Sequence, residues 1–161
     1  MKSIPRQALC AGTFDPPTLG HLNIIERGFN VFDKLVVAVA PSLNKNPLLS
    51  VQDRVVLLQK ILSKKTNIEI TTFDGLLIEF AKKRKIFTLL RGIRNMSDYE
   101  FEYQMSLANK TLCPKIETLF MMTEGEYSHL SSTLIRDIIK QGGSCKGMIH
   151  PLVEKKLHEI L

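Results

Sequence analysis

The stretch from Gly12 to His21 reads Gly-Thr-Phe-Asp-Pro-Pro-Thr-Leu-Gly-His and carries residue types that hold phosphate groups. It follows the apolar run 8–11 and precedes the apolar-periodic segment 22–31, so the pattern predicts a strand, a tight loop and a helix start. Glycines let the backbone approach a ligand, and the free N–H groups of a helix N-terminus attract anions. We therefore expect His21 in the first helical turn, facing a bound phosphate.

Basic and hydroxyl side chains recur at similar places further along the chain. Lys45 follows a second apolar run, Arg91 and Arg94 follow a later one, and Ser131-Ser132-Thr133 precede a helical pattern. Such groups suit phosphoryl chemistry that stabilises charge without a covalent nucleophile. Simpler explanations stay open at this point: His21 as a surface residue, Lys45 as a solvated loop lysine and the hydroxyls as a helix cap.

Several common catalytic motifs are missing from the sequence. It contains no zinc-ligand spacing, no Gly-x-Ser-x-Gly elbow and no phosphate loop ending in Gly-Lys-Ser or Gly-Lys-Thr. There is also no Gly-x-Gly-x-x-Gly after the first apolar run. The sequence therefore argues against a hydrolase triad, an ordinary ATPase and a dinucleotide-binding enzyme.

Length and composition are those of one globular domain. The 161 residues carry a formal charge of +6, which suits an anionic partner without specifying one. The three cysteines have neither disulfide nor metal spacing, and we expect a reducing compartment. The chain start has no apolar signal region, and the longest apolar run, 35–40, is too short to span a bilayer. We expect a single cytoplasmic domain over residues 1–161 that does not enter a membrane.

Apolar runs and helical patterns alternate along the chain. Strands are predicted at 7–11, 34–40, 68–73, 86–90 and 118–122, with helices at 20–32, 50–62, 76–83, 97–112, 131–142 and 151–161. This alternation predicts an α/β fold: a doubly wound, Rossmann-like, five-stranded parallel sheet with helices on both faces and a C-terminal helical segment. Ligands of such sheets bind beyond the carboxyl ends of the strands. Thr13, Lys45, residues 74–77, residues 91–94 and the loop after Met122 are expected at that one rim.

The motifs in combination are similar to those of a known family. Gly12 to Pro16 followed by Thr18-Leu19-Gly20-His21 resembles the signature of the nucleotidylyltransferase superfamily. Lys45 before Asn46-Pro47, and residues 91–94, 98–102 and 131–136, resemble the bacterial phosphopantetheine adenylyltransferases over essentially the whole chain. The resemblance implies that ATP and 4'-phosphopantetheine react to dephospho-coenzyme A and pyrophosphate, the penultimate step of coenzyme A synthesis.

The resemblance also implies roles for individual residues. His21, Lys45 and Arg91 would be catalytic, and phosphopantetheine would be held by Thr13, Lys45, Leu77 and Arg91. ATP would be bound by Thr13, Phe14, His21, Gly92, Ile93, Arg94, Glu102, Tyr127, Ser128, His129, Leu130, Ser131, Ser132 and Thr133. Mg²⁺ would arrive with ATP and have no ligand set of its own on the chain. The resemblance further implies a homohexamer that coenzyme A inhibits by feedback.

The sequence departs from the family pattern at a few positions. Cys10 stands where an aromatic residue is common, and Leu19 stands where Asn is common. The segment 140–150 matches least, and we assign it no role. Both single departures flank the phosphate loop, so they bear on local packing rather than on activity.

The acceptor implied by the resemblance has consequences for the chemistry. A phosphate monoester has a second pKa of about 6, so it is largely dianionic near pH 7 and needs no general base. The charge state of His21 stays open, because the helix dipole opposes protonation and a bound polyphosphate favours it.

Two other functions remain as alternatives. The first is a nucleotidylyltransferase with nicotinate mononucleotide, a sugar phosphate or glycerol phosphate as acceptor. The second is a small RNA-binding module, motivated by the charge of +6. Only 7% of the residues are aromatic and no RNA-binding motif is present, so we expect no nucleic-acid partner.

Overall fold

The chain forms a five-stranded parallel sheet, seen in a computed structural model that describes residues 5–42 and 46–160. The strands are β1 (Gln7–Gly12), β2 (Lys34–Val39), β3 (Ile68–Thr72), β4 (Thr88–Ile93) and β5 (Glu117–Met122). Their order in the sheet is β3-β2-β1-β4-β5, and every pairing is parallel. The topology therefore reverses between β1 and β4, which is where such sheets bind ligands.

Among the described residues, six helices connect and flank the strands. They are α1 (Leu19–Val31), α2 (Val51–Ile61), α3 (Leu77–Arg84), α4 (Met96–Leu112), α5 (Ser132–Lys140) and α6 (Pro151–Ile160), with a single 3₁₀ turn at Gly125–Tyr127. The α/β architecture expected from the sequence is confirmed, including the C-terminal helical segment. Ser50 and Ser131 cap α2 and α5 with their side chains, as the sequence predicts.

Alternate residues of the central strands face two separate layers of the core. Leu35, Val37 and Val39 of β2 pack with residues of α1 and α2, whereas Val36 and Ala38 pack with residues of α3. Both faces of β2 are covered, which explains its unbroken apolar sequence. A third apolar cluster joins α2, α5 and α6 beside the sheet.

Most predicted boundaries differ from the structure by one or two residues, and the end of the fourth strand differs by three. The strand ends at Ile93 rather than at residue 90, because it pairs with β5 in register as far as Ile93 and Met122. The helix that follows begins at Met96 rather than at residue 97, and it is capped by Asn95, whose side chain accepts from the N–H of Asp98. Arg91 thus lies within β4 and projects from the sheet itself.

Helix α4 is unusual because none of its seventeen residues is buried. Its exposed large apolar side chains continue onto the neighbouring edge strand β5. They are Met96, Tyr99, Phe101, Tyr103, Met105, Leu107 and Leu112 on α4, with Leu119 and Met122 on β5. We call this set the α4–β5 face.

None of the helices in the described ranges combines the length and the apolar character needed to cross a membrane.

Candidate active site

A cavity of about 620 Å³ opens at the carboxyl ends of the strands, where the topology reverses. Its floor is formed by the ends of β1 and β4. The first residues of α1 and of α5 also line it, so two helix N-termini meet there. Helix N-termini carry partial positive charge and unpaired N–H groups, which favour anions. The location and the backbone geometry therefore suit a polyphosphate.

The glycine-rich loop between β1 and α1 holds the imidazole of His21 firmly. The N–H of Thr18 donates to His21 Nδ1 over 3.0 Å, while the Thr18 hydroxyl accepts from the N–H of His21. The Phe14 ring packs edge-on against the imidazole at a centroid distance of 5.1 Å. Phe14 has a φ of 51°, in the left-handed region that is costly for an aromatic residue. The residue of the loop that packs against His21 thus has a strained backbone conformation.

The hydrogen bonds define the tautomer of His21. Because Nδ1 accepts the N–H of Thr18, the proton of a neutral ring lies on Nε2. Burial, together with the charges of Arg94 and Arg91, lowers the pKa of His21 to about 4. A pKa this low keeps the ring neutral near pH 7. The imidazole lines the cavity as a donor through Nε2–H.

Arg91 is paired with Glu102 and hydrogen-bonded to the end of β1. Its Nε donates to Glu102 Oε2 over 2.8 Å, its Nη2 donates to the other carboxylate oxygen, and its Nη1 donates to the carbonyl of Ala11. Burial disfavours the charge on Arg91, but the hydrogen bonds and charge of Glu102 outweigh it and raise its pKa. The pair fixes the guanidinium against β1 and neutralises it.

Arg94 is also paired, and it connects β4 to the loop before α5. Its guanidinium holds both oxygens of Asp98, at 2.7 and 2.8 Å, and its Nη1 donates to the carbonyl of Leu130 over 2.9 Å. The hydrogen bonds from Arg94 lower the pKa of Asp98, so that carboxyl stays ionised. Among the described residues, the two arginines of the cavity are therefore balanced by two carboxylates.

Helix α1 and the glycine-rich loop also fix the segments on either side of the 3₁₀ turn. Arg27 donates to the carbonyl of Met122 over 2.6 Å, and Asn23 accepts from the N–H of Glu124 over 3.3 Å. At the start of α5, the Ser132 hydroxyl donates to the carbonyl of Pro16 over 2.9 Å. The helix that carries His21 and the loop before it are thus bonded to the segment leading into α5.

The structure brings most of the sequence-predicted site residues to the cavity wall. Those that line it are Thr13, Phe14, His21, Leu77, Arg91, Gly92, Arg94, Glu102, Leu130, Ser131, Ser132 and Thr133. Four others, Ile93, Tyr127, Ser128 and His129, do not line it, and the Ile93 side chain is buried in the core. Lys45 lies outside the described residues.

The close packing of α1 on the sheet explains why a glycine stands at position 92 in β4. A Cβ built on Gly92 would lie 2.8 Å from Cγ1 of Ile24, one turn after His21 on α1. Only glycine lets α1 approach the sheet so closely. Gly92 therefore helps to place the helix that carries His21.

Sequence reasoning assigned no role to two charged residues that lie buried beneath the loop, Arg54 and Asp15. Arg54 is 1% exposed and Asp15 is 2% exposed. Val51, Arg54, Val55 and Leu58 follow the spacing of one helical face, so the pattern places Arg54 on the core side of α2. A charged residue in such a stripe is the signal that could have identified it.

Among the described residues, the carboxylates of this cavity wall are not free to hold the metal ion that ATP chemistry implies. The two carboxylates that line it, Asp98 and Glu102, are each bonded to an arginine. In the described part of the chain, no three His, Cys, Asp or Glu side chains are grouped to hold a metal. These residues do not fit a protein-held Mg²⁺ site, because Mg²⁺ in such sites needs carboxylates in addition to substrate phosphates.

Comparison with known proteins identifies the family to which the chain belongs. Residues 9–138 match the cytidylyltransferase-like family. The chain is 45% identical over 154 residues to a phosphopantetheine adenylyltransferase from Caldanaerobacter subterraneus subsp. tengcongensis, covering 96% of each chain. It is 47% identical over 152 residues to one from Acaryochloris marina, covering 94% of this chain and 86% of that protein.

A solved structure shares the fold at much lower sequence identity. It is that of a candidate nicotinate-nucleotide adenylyltransferase from Vibrio parahaemolyticus, with a TM-score of 0.69 and 18% identity over 96% of this chain and 99% of that one. The family model and the curated relatives show that the chain belongs to the cytidylyltransferase-like family and, within it, to the family of the phosphopantetheine adenylyltransferases.

Proposed function

We propose that this protein transfers the adenylyl group of ATP to 4'-phosphopantetheine, giving dephospho-coenzyme A and pyrophosphate. The observation that carries the proposal is the cavity in which His21 and two helix N-termini meet. The family to which the chain belongs supports the choice of substrates. Phe73, Leu77 and Met105 add an apolar wall to the same cavity, and this wall suits the pantetheine arm of the acceptor.

The transfer needs no general base from the protein. The acceptor phosphate is largely dianionic near pH 7, because its second pKa is about 6. Both carboxylates that line the cavity are held by arginines, which suits a reaction that does not use them as bases. Catalysis then consists of aligning the acceptor oxygen with the α-phosphorus and stabilising the charge that develops as pyrophosphate leaves in line.

Each group of residues has a part in this proposal. The Nε2–H of His21 donates to the transferring phosphoryl group, and Thr13 contacts both substrates. Arg91 and Lys45 bind the acceptor phosphate, which competes with Glu102 for the guanidinium of Arg91. The first N–H groups of α5, with Ser132 and Thr133, bind the triphosphate. The nucleotide extends past Leu130 on the cavity wall toward Tyr127, Ser128 and His129, which do not line the cavity themselves. Mg²⁺ is carried by the ATP phosphates.

Pyrophosphate release tests the substrate assignment directly. Purified protein is supplied with ATP and, in parallel, with 4'-phosphopantetheine, nicotinate mononucleotide, glycerol 3-phosphate or no acceptor. Rapid pyrophosphate release with 4'-phosphopantetheine alone is the expected result. Faster release with nicotinate mononucleotide or glycerol 3-phosphate would move the function to another nucleotidylyltransferase.

We further propose that the protein assembles as a homohexamer and that coenzyme A inhibits it by feedback. The α4–β5 face exposes nine large apolar side chains, as expected of a surface that packs against further copies of the chain. The expectation of six subunits and that of feedback inhibition by coenzyme A rest on the family resemblance. We expect residues 1–161 to act as one cytoplasmic domain within each subunit. Sedimentation analysis should give six subunits, and Phe101→Glu should yield smaller species.

A further inference from the structure

Two charged side chains lie buried beneath the cavity without lining it. Arg54 and Asp15 are 1% and 2% exposed, and neither contributes to the cavity wall. Burying a charge is costly unless hydrogen bonds compensate for the lost water. The contacts of these two side chains therefore show what they hold in place.

Arg54 binds the backbone of three separate segments. Its Nη1 donates to the carbonyl of Thr13 over 2.6 Å and to that of Ala40 over 3.0 Å. Its Nε donates to the carbonyl of Ser50 over 3.2 Å. The acceptors lie in the glycine-rich loop, just after β2 and at the cap of α2. One guanidinium thus joins the loop after β1 to both ends of the connection between β2 and α2.

Asp15 makes the reciprocal connection from the glycine-rich loop. Its carboxylate accepts from the N–H groups of Leu48 and Leu49, over 3.0 and 2.8 Å. Nη1 of Arg136, on α5, lies 3.8 Å from the same carboxylate. A side chain of the loop therefore holds the backbone before α2, while a side chain of α2 holds the backbone of the loop.

We propose that Arg54, with Asp15 as its counterpart, is a positioning residue for the transfer reaction. Arg54 fixes the Thr13 segment relative to the connection before α2, and Asp15 connects the same loop to Arg136 of α5. This inference rests on the proposed function, in which Thr13 contacts both substrates and α5 binds the triphosphate. A displacement of about 1 Å in such a site costs about 10²-fold in rate. Arg54 acts through backbone carbonyls and touches no substrate.

Three variants separate positioning from simple support of the fold. Arg54→Met keeps the volume and removes all three donors, whereas Arg54→Lys keeps the charge but cannot span the same acceptors as a planar fork. Asp15→Asn keeps the shape but turns one acceptor into a donor that faces a backbone N–H. Arg84→Met is the matched control, because Arg84 is a half-buried arginine bonded to Glu69 and does not line the cavity.

The experiment measures kcat with 4'-phosphopantetheine, the Kd for ATP and the melting temperature of each variant. We expect kcat to fall about 10²-fold in Arg54→Met and about 10-fold or more in Arg54→Lys and Asp15→Asn. The Kd for ATP should stay within about 3-fold, since α5 and the loop before it keep their own contacts. Arg84→Met should keep the wild-type kcat.

Two outcomes would overturn the inference while the wild type remains active. One is a kcat within about 3-fold of wild type in folded Arg54→Lys and Asp15→Asn, even with a lower melting temperature. The other is a loss of ATP affinity as large as the loss in kcat. If Arg54→Met does not fold, the other two variants decide the question. A wild type that releases no pyrophosphate with 4'-phosphopantetheine would instead refute the proposed function.

Discussion

Replacing His21 tests the part of the site that the structure defines most closely. The imidazole does two things: it accepts the N–H of Thr18 through Nδ1, and it lines the cavity as a donor through Nε2–H. His21→Gln separates them. A glutamine three residues after a capping threonine can reach back to the same N–H with its amide oxygen, and its amide N–H donors are then displaced from the position of Nε2. His21→Ala removes both interactions.

The two variants should therefore differ in stability and agree in catalysis. Losing one donor to transition-state charge costs about 2.7–4 kcal/mol, or about 10²–10³ in kcat, and this applies to both. His21→Ala also leaves the N–H of Thr18 without its partner, which costs about 1 kcal/mol of folding stability. His21→Gln should unfold within about 0.5 kcal/mol of the wild type.

Steady-state kinetics, ATP binding by calorimetry and denaturant unfolding give the three quantities. The Kd for ATP should change much less than kcat, because the donor acts on charge that develops during transfer. A kcat of His21→Gln within about 5-fold of wild type would refute the role of Nε2–H. A loss of ATP affinity as large as the loss of kcat would show that His21 stabilises the bound ground state as much as the transition state.

Three further predictions follow from the same contacts. His21 has a pKa of about 4 in the folded protein against 6.5 as its ordinary value, so the unfolded chain binds more protons between these values and stability falls as pH drops through that window. Unfolding at pH 7 and pH 5 should show that the wild type loses about 2 kcal/mol more than His21→Gln; an equal loss would mean that the ring is not held neutral. Glu102→Ala leaves the guanidinium of Arg91 unpaired and should cost about 1–3 kcal/mol in denaturant unfolding, whereas unchanged stability would show that the pair contributes nothing. Gly92→Ala forces a Cβ toward Ile24 and should cost about 1–3 kcal/mol in thermal unfolding, together with a lower kcat; a neutral result would show that α1 has room to move.

The sequence predicted the sheet and the position of the site because local patterns specify both. Unbroken apolar runs such as 35–39 mark strands covered on both faces, and glycine and hydroxyl residues mark the loops after them. Since parallel strands end at one edge, those loops had to converge there. The end of β4 was placed too early because Arg91 and Gly92 resemble loop residues, and only the pairing with β5 continues the strand.

What the sequence could not show is how charges are paired across distant segments. It predicted arginines for phosphate but not that Arg91 is bonded to a carboxylate eleven positions later, on a helix turned back over the sheet. The guanidinium of Arg54 reaches the carbonyl of Thr13 across 41 positions. Such contacts depend on how helices cross the sheet, which periodicity does not encode. The neutral state of His21 likewise depends on burial and on two arginines from β4 and its end.

The fate of the α-phosphorus of ATP tests the central claim most directly. ATP labelled at that atom is incubated with the protein and 4'-phosphopantetheine, and the products are separated and weighed by mass spectrometry. The account predicts that the label moves into a pyrophosphate-linked product of the mass of dephospho-coenzyme A, with one pyrophosphate formed per transfer. Label that stays in ATP, or that appears as free AMP with or without the acceptor, would contradict it.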